Sequence, residues 1–445
     1  MDIDIDFDDD ARSDSGMTAV SSTSQSPAPS MYSFTSSRDG RTLYREIAGR
    51  KLNAQNDLYQ LPSDDNEHNR LDKQHLVHLL SVGRLYTAVE EIEEVLADNA
   101  PYQKAVLDLG CGGGNWASAM ALEFPHAQIV GVDLAPTTSR PPPPNCRFEF
   151  DDFTLGMQHY YNSFDVVHSR AVANGVKDFE WLIHEAAKCL RPGGVLYFIE
   201  GNMELRNSFR EPAEVAFGQG GPGQSWMARM CFEAYNTMKS RGSALDAGVM
   251  LERWMNAEPE ITDVKYDVKW IPIGPWDRGV TPEETRQLIH LGTLMRQNMK
   301  EYARSLVPLF LANGFAPDLV SRFIEGADKE LDDLSVHLYL TYHHCWGRKV
   351  GSPNVSAAQS AISSMIGSPR TDASSDVDVD DNDSVRAASD VSARSMLSPG
   401  PNAIPVVWEG QSPYTSTAPV RFDAESVYSG SLGSVSMSIS DDVPS

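Results

Sequence analysis

The chain has 445 residues with 62 acidic and 37 basic side chains, a net charge of −25, so it presents no broad positive surface for nucleic acid or anionic lipid. Its five cysteines are scattered and show no CxxC spacing, which indicates neither a disulfide framework nor a metal site. The acidic N-terminus is unlike a signal peptide and no apolar run reaches about 18 residues, so we expect a soluble protein of the cytoplasm or nucleus, with no membrane partner.

Composition divides the chain into three parts. Residues 1–37 and 351–445 are rich in Asp and Ser and poor in large apolar side chains, and we expect both tails to be disordered. The C-terminal tail contains four Ser-Pro dipeptides, which indicates either phosphorylation and a protein partner or a solvated linker. Residues 38–350 are long enough to bury a full core and predict one folded domain.

The domain begins with a polar tract, YQLPSDDNEHNRLDKQH, at residues 59–75. Apolar residues then recur at helical spacing, which predicts one helix over residues 66–82 and another over residues 85–96. By this periodicity alone, His75 and His78 are ordinary residues of an amphipathic helix.

A glycine-rich turn follows the first predicted strand of the sheet. The apolar run at residues 105–107 leads into Asp108 and a cluster of glycines, and residues 115–122 then start a helix. Strand, glycine turn and helix begin a βαβ unit in which a ligand can approach the backbone closely. A second strand, residues 127–132, ends on Asp133, whose carboxylate suits the two hydroxyls of a ribose.

Polar residues also stand at the ends of the next strands. Residues 146–150 predict a strand that ends in Asp151, Asp152 and Phe153, and the strand at residues 164–168 ends in His168. Ligands of open α/β sheets bind at the carboxyl ends of the strands, so we expect His168 and Arg170 to point toward the site.

The remaining elements complete an α/β pattern. Strands are predicted at residues 195–200, 261–273 and 336–350, and helices at residues 180–190, 225–241, 282–313 and 317–333. The methionine-rich stripe of the helix at residues 225–241 is typical of core or lid packing. Consecutive side chains of a strand alternate between faces, so His343, His344 and Cys345 are predicted to be strand residues rather than metal ligands.

The pattern Asp108-x-Gly110-x-Gly112-x-Gly114 resembles the signature of the class I S-adenosylmethionine-dependent methyltransferases. The polar tract at residues 59–75 is similar to that of a fungal group that includes the velvet-associated secondary-metabolism regulator and trans-aconitate-methyltransferase-like domains. The resemblance implies a Rossmann-like α/β fold with S-adenosyl-L-methionine as its cofactor. The implied sheet is mostly parallel and seven-stranded, with helices on both faces, an N-terminal helical lid and a helical insertion before the last strand.

The resemblance also implies a set of site residues. Asp152 is expected at the adenine amine, Phe153 over the ring, and the Arg70 to His75 face of the lid helix against the ligand. The residues expected to bind the cofactor are Asp108, Gly110, Cys111, Gly112, Gly114, Asp133, Leu134, Asp152, Phe153, His168, Arg70 and Gln74.

Three residues are catalytic candidates. His168 and His75 are possible general bases because histidine titrates near neutrality, although many such enzymes use no base. Arg170 would bind a carboxylate acceptor, as Arg70 would. No metal is expected.

Two other functions stay open on sequence alone. A nicotinamide oxidoreductase is one alternative, because the register Gly112-x-Gly114-x-x-Ala117 satisfies a looser dinucleotide fingerprint, although Asp108 would repel a pyrophosphate. A regulatory protein that keeps the fold and acts through partner binding is the other alternative. We predict a methyltransferase that acts on a small-molecule acceptor in fungal secondary metabolism, with no direct binding of nucleic acid.

Overall fold

A seven-stranded sheet forms the centre of the computed structural model, which describes residues 43–136 and 141–351. The predictions for the two tails fall outside these residues, apart from position 351. In chain order the strands of the described residues are β1 (Tyr44–Ile47), β2 (Arg50–Asn53), β3 (Ala105–Leu109), β4 (Gln128–Asp133), β5 (Cys146–Phe150), β6 (Phe164–Arg170), β7 (Leu190–Asn207), β8 (Ile261–Ile273) and β9 (Leu338–Lys349).

The strand order across the sheet is β5-β4-β3-β6-β7-β9-β8. The first five strands are parallel, whereas β9 pairs antiparallel with both β7 and β8. The chain leaves β3 toward β4 and β5 and then returns to its other side at β6, which makes a topological switch point where ligands of such sheets bind. The predicted Rossmann-like fold is confirmed by this order.

Helices flank the sheet and start where the sequence supplies caps. The Asp64 side chain accepts a hydrogen bond from the Glu67 amide at the start of the first helix, and Gly83 ends that helix in the left-handed conformation. The helices are α1 (Asp65–Val82), α2 (Val89–Val95), α3 (Asn115–Glu123), α4 (Phe179–Cys189), α5 (Trp226–Arg241), α6 (Ala247–Ala257), α7 (Pro282–Ser305), α8 (Val307–Ala312) and α9 (Pro317–Asp333).

Several elements differ from the prediction. The β1–β2 hairpin and α6 were not predicted, and the helix expected over residues 282–313 is divided into α7 and α8. The division lies beside Pro308, which has no N–H to continue the hydrogen-bond ladder. The long strand β7 continues to Asn207, which pairs with Leu338.

The core lies between the central strands and the helices that cover them. Val106 and Leu107 of β3 and Val166 of β6 are fully buried. On β9, His343 contacts the Tyr266 hydroxyl, whereas the Nδ1 atom of His344 lies 2.9 Å from the Tyr197 hydroxyl, so the two histidines face opposite ways as predicted. In the described part of the chain, no helix has the length and apolar character needed to cross a bilayer.

Candidate active site at the strand ends

The glycine loop after β3 has a backbone that requires glycine. Gly110, Gly112 and Gly114 have φ angles of 72°, 55° and 77°, in the left-handed region. A Cβ atom on Gly110 would lie 2.4 Å from the Val172 side chain, and one on Gly114 would lie 2.3 Å from the ring of Phe148. The loop therefore brings bare backbone to the edge of a cleft at the carboxyl ends of the strands.

Asp133 ends β4 beside this loop. One carboxylate oxygen accepts a hydrogen bond from the Gly112 amide at 2.7 Å, and the other accepts one from the Ala135 amide at 3.0 Å. Burial raises the pKa of Asp133, and the two amides oppose that rise. The carboxylate is thus fixed in place, and each oxygen retains a lone pair for a ligand hydroxyl.

Asp152 and Phe153 follow β5 on the same side of the cleft. The Oδ1 atom of Asp152 accepts hydrogen bonds from the Thr154 amide at 3.0 Å and the Thr154 hydroxyl at 2.6 Å. Phe153 is buried and lines the cleft, with its ring near the first glycine of the loop. A carboxylate beside a ring suits a heteroaromatic base that carries an amine.

Helix α1 lies over the glycine loop. The Leu71 side chain would be 3.1 Å from a Cβ on Gly112, and Asp72 accepts a hydrogen bond of 2.6 Å from the Asn115 side chain. Arg70 and Gln74 line the cleft from the same helix. The predicted N-terminal helix therefore covers the loop.

Arg70 is held by neighbours on α1 and α7. It donates to Glu67 at 2.6 Å and to Gln74 at 2.6 Å, while the second Glu67 oxygen accepts from Ser305 at 2.5 Å. Burial opposes the charge of Arg70, but the Glu67 carboxylate outweighs it, and the pKa of Arg70 is raised. The charge of Arg70 is therefore already neutralised within the protein.

The two histidines proposed as bases lie outside the cleft lining. The Nδ1 atom of His168 is 2.7 Å from the Asp108 carboxylate, and its ring stacks on Trp116 with centroids 3.7 Å apart. His75 is 5% exposed, and burial together with the Arg170 charge lowers its pKa to about 3. His168 therefore packs against Trp116 and is not part of the cleft lining.

Arg170 does line the cleft. One guanidinium nitrogen is 3.4 Å from the Nδ1 atom of His75, and no ion pair joins Arg170 to a carboxylate within the described residues. Burial lowers the pKa of Arg170, while the more distant Asp108 charge opposes that effect. An arginine in this state attracts an anionic group of a ligand.

Glu200 is a cleft residue that the sequence analysis did not single out. It lies in β7, is 3% exposed, and accepts hydrogen bonds from the Val172 amide at 2.8 Å and the Ala173 amide at 3.2 Å. The sequence did contain a signal for Glu200, because it directly follows the apolar run at residues 195–199. Asp133 was identified in the same way, as a carboxylate that follows the apolar run of β4.

The other half of the cleft is largely apolar. It is formed by α5, α7, β9 and the residues after the middle of β7. Its apolar side chains are Met203, Cys231, Met238, Leu245, Met299 and Leu340, and its polar side chains include Asn202, Asn298, Tyr302 and Tyr342. Of the methionine stripe on α5, Met227 and Met230 are buried in the core, as the sequence favoured, while Met238 reaches the cleft.

The cleft is partly open to solvent, and most of the predicted site residues line it. Those that do are Gly110, Cys111, Gly112, Asp133, Leu134, Asp152, Phe153, Arg70, Gln74 and Arg170. Those that do not are Asp108, Gly114, His75 and His168, which support the lining from behind.

The sequence of this chain is similar to those of known proteins. Residues 83–235 match a family described as methyltransferase domain. The secondary metabolism regulator laeA of Coprinopsis cinerea is 35% identical over 275 residues, 61% of this chain and 65% of that protein, just under two thirds of its length. The methyltransferase pytC of Aspergillus terreus is 30% identical over 284 residues, 63% of this chain and 79% of that protein.

A solved structure also aligns with the chain. Phosphoethanolamine N-methyltransferase 2 of Haemonchus contortus, in complex with S-adenosyl-L-methionine, aligns with a TM-score of 0.32 and 16% identity over 60% of this chain and 52% of that one. That score is low, and the fold assignment rests on the strand order instead. The similarity to pytC covers most of that protein's length and confirms the predicted family. The chain belongs to the methyltransferase domain family.

Proposed function

We propose that the cleft binds S-adenosylmethionine and that the chain transfers its methyl group to a small-molecule acceptor of fungal secondary metabolism. The observation that supports this most directly is the continuity of the cleft. One half presents the glycine loop and fixed carboxylates, the other is apolar, and the two meet at the end of β6 and the middle of β7. A cleft with two chemically different halves suits a cofactor and a second ligand side by side.

The residues of the first half fit the parts of this cofactor. Asp133 is positioned to accept hydrogen bonds from the ribose hydroxyls, and the glycine loop approaches the amino-acid part. Asp152 suits the adenine amine, and Phe153 offers a ring to the base. Of the two arginines that line the cleft, Arg70 pairs with Glu67, whereas Arg170 has no ion pair within the described residues. Arg170 therefore fits the carboxylate of the amino-acid part.

S-adenosylmethionine supplies an electrophilic methyl group on a sulfonium sulfur. The chain holds the acceptor nucleophile in line with that methyl group, and such positioning lowers the barrier substantially. Met203, Met238 and Met299 line the acceptor half with apolar side chains. Helix α1 covers the opposite side of the cleft.

A regulatory role through partner binding is the second candidate, favoured by the similarity to the regulator laeA. The two candidates differ in whether turnover is required. If the role is regulatory alone, an Asp133→Ala chain with weakened cofactor binding would still fully restore metabolite production in a deletion strain of its host. If the role is catalytic, the same variant would restore it poorly.

The acceptor class is tested with S-adenosylmethionine that carries a tritiated methyl group. The purified protein is incubated with a metabolite extract, and small molecules are separated from macromolecules by ultrafiltration before counting. We expect the label in the small-molecule fraction, with Asp133→Ala as the control that strongly reduces this label when the cofactor is limiting. Label confined to the protein fraction would contradict the small-molecule acceptor.

A further inference from the structure

The Glu200 carboxyl group is anchored by only one of its oxygens. Both the Val172 and Ala173 amides donate to Oε1, at 2.8 and 3.2 Å. Within the described residues Oε2 has no hydrogen-bond partner, and Glu200 is part of the cleft lining. The amides therefore fix the direction of the group and leave Oε2 as the oxygen that can exchange a proton with a ligand.

The surroundings of Glu200 disfavour its negative charge. Burial raises the pKa of Glu200 to about 8, and only the two amides lower it. Tyr342 on β9 is a titratable neighbour of Glu200. Burial is the main cause that raises the pKa of Tyr342 to about 12, and the Glu200 charge also raises it. The other charged side chains of the cleft lining are Arg70, Asp133, Asp152 and Arg170.

No histidine lines the cleft in the described residues, whereas Glu200 does. Glu200 stands where the two halves of the cleft meet, together with Gly201 and Asn202. Beyond it lie Met203 and the apolar side chains of α5 and α7. These side chains suit an acceptor with an apolar carbon skeleton rather than a charged acceptor.

We propose that Glu200 is the general base of the reaction and that the acceptor is an apolar molecule carrying a phenol-type hydroxyl. This rests on the proposed function. In the step, the acceptor O–H bond breaks and its proton passes to Oε2 of Glu200. The acceptor oxygen forms a bond to the methyl carbon, the carbon–sulfur bond breaks, and its electron pair stays on sulfur. The proton then leaves Glu200 for solvent, and S-adenosylhomocysteine and the methyl ether are the products.

The acidity of the acceptor decides the class of hydroxyl. A phenol has a pKa of about 10, within reach of such a base, whereas an aliphatic hydroxyl is closer to water, whose pKa is about 15.7. A carboxylic acid is already ionised and needs no base. Its charge would also be repelled by the ionised form of Glu200.

Three naphthalene compounds test this choice: 2-naphthol, 2-naphthalenemethanol and 2-naphthoic acid. They share one apolar skeleton and differ only in the nucleophile. Tritiated methyl transfer is measured with the full chain from about pH 6 to pH 10. We expect transfer to 2-naphthol alone, with kcat rising through an inflection near the Glu200 pKa of about 8.

Glu200→Gln keeps an oxygen for the two amides but cannot take a proton. We expect kcat for 2-naphthol to fall roughly a hundredfold and the inflection near pH 8 to disappear, with S-adenosylhomocysteine binding preserved. The matched control is Glu330→Gln. Glu330 is another buried carboxyl held by backbone amides, those of Trp226 and Met227, but it lies outside the cleft. Its variant should keep the inflection.

A second measurement needs no acceptor. Burial raises the pKa of Glu200 from an ordinary 4.5 to about 8, so the folded state binds more protons than the unfolded state in that window. The contribution of Glu200 to the free energy of unfolding is complete below pH 4.5, the pKa of the unfolded state. It is lost as the pH rises through about 8, the pKa of the folded state. The urea midpoint of the wild type should therefore fall relative to that of Glu200→Gln between these values.

The proposal is overturned if Glu200→Gln keeps the inflection, if the two urea midpoints run parallel with pH, or if 2-naphthoic acid is methylated in preference. It is also overturned if a protein that binds S-adenosylmethionine methylates none of the three compounds. Failure to bind S-adenosylmethionine in calorimetry would instead refute the proposed function itself.

Discussion

The Asp108 carboxylate and the His168 imidazole are hydrogen-bonded at 2.7 Å between adjacent strands, where the two residues are register partners on β3 and β6. The Trp116 ring stacks on the imidazole from α3. Burial lowers the pKa of His168 although Asp108 opposes this, so the imidazole is neutral and donates its Nδ1 proton to the carboxylate. The pair joins the two strands directly beneath the glycine loop.

Two buried histidines allow the value of this hydrogen bond to be measured. We expect His168→Phe to lower the free energy of unfolding by about 3 kcal/mol, because it leaves the buried Asp108 carboxylate without its donor. His78 is also buried, yet neither ring nitrogen has a partner in the described residues. His78→Phe should therefore cost less than about 1 kcal/mol. Urea unfolding at neutral pH measures both, and equal losses would contradict the account.

The glycine loop offers a second matched pair. Gly114→Ala places a side chain at a φ of 77° and 2.3 Å from Phe148, so we expect a loss of about 3 kcal/mol. At Gly113 the nearest atom to an added Cβ is 3.5 Å away, so Gly113→Ala should change stability by less than about 1 kcal/mol. Thermal unfolding distinguishes them. A Gly114→Ala variant as stable as the wild type would contradict the left-handed conformation of Gly114 and its close contact with Phe148.

The attachment of α1 to α7 depends on a buried carboxylate. Glu67→Ala leaves the Arg70 guanidinium without its ion-pair partner, and we expect a loss of about 3–5 kcal/mol and faster hydrogen exchange in α1. The control is Glu301→Ala, which removes a more exposed ion pair of 3.0 Å with Lys73 and should cost less than about 1 kcal/mol. If the two variants exchange alike, the buried network does not hold the helix.

Arg170 is expected to recognise a carboxylate of the cofactor. Arg170→Met should weaken the binding of S-adenosylhomocysteine by about tenfold or more, since a charge-assisted hydrogen bond is lost. It should leave unchanged the binding of 5′-methylthioadenosine, which lacks the amino-acid part. Calorimetry gives both affinities. Unchanged binding of both ligands would contradict this prediction. It would favour instead a contact of the Arg170 guanidinium with a carboxylate acceptor.

Local pattern was sufficient for the parts of the site that lie at strand ends. Asp133 and the loop glycines follow apolar runs directly, so the strand rule located them. The Asp108–His168 bond could not be predicted, because it joins residues 60 positions apart and depends on the register of β3 and β6. The hairpin β1–β2 escaped prediction because its strands have only four residues each.

The acceptor half of the cleft was harder to predict than the cofactor half. Met238 and Met230 belong to the same helical stripe, and only the tertiary packing of α5 against its neighbours decides which one reaches the cleft. Glu200 carries the same kind of signal as Asp133. Its role as a proposed base depends on burial and on the Val172 and Ala173 amides. These amides belong to a distant segment of the sequence, so local pattern could not reveal them.

The central claim is that this cleft binds S-adenosylmethionine through Asp133, and calorimetric titration of that ligand and of NAD tests it directly. We expect the wild type to bind S-adenosylmethionine and not NAD. Asp133→Ala should weaken binding by roughly tenfold to a hundredfold, about 1.4–2.7 kcal/mol, and Asp133→Asn should be intermediate because it keeps one acceptor oxygen. Melting temperatures check that both variants fold. If Asp133→Ala binds S-adenosylmethionine as tightly as the wild type, or if the wild type binds NAD instead, the account is contradicted.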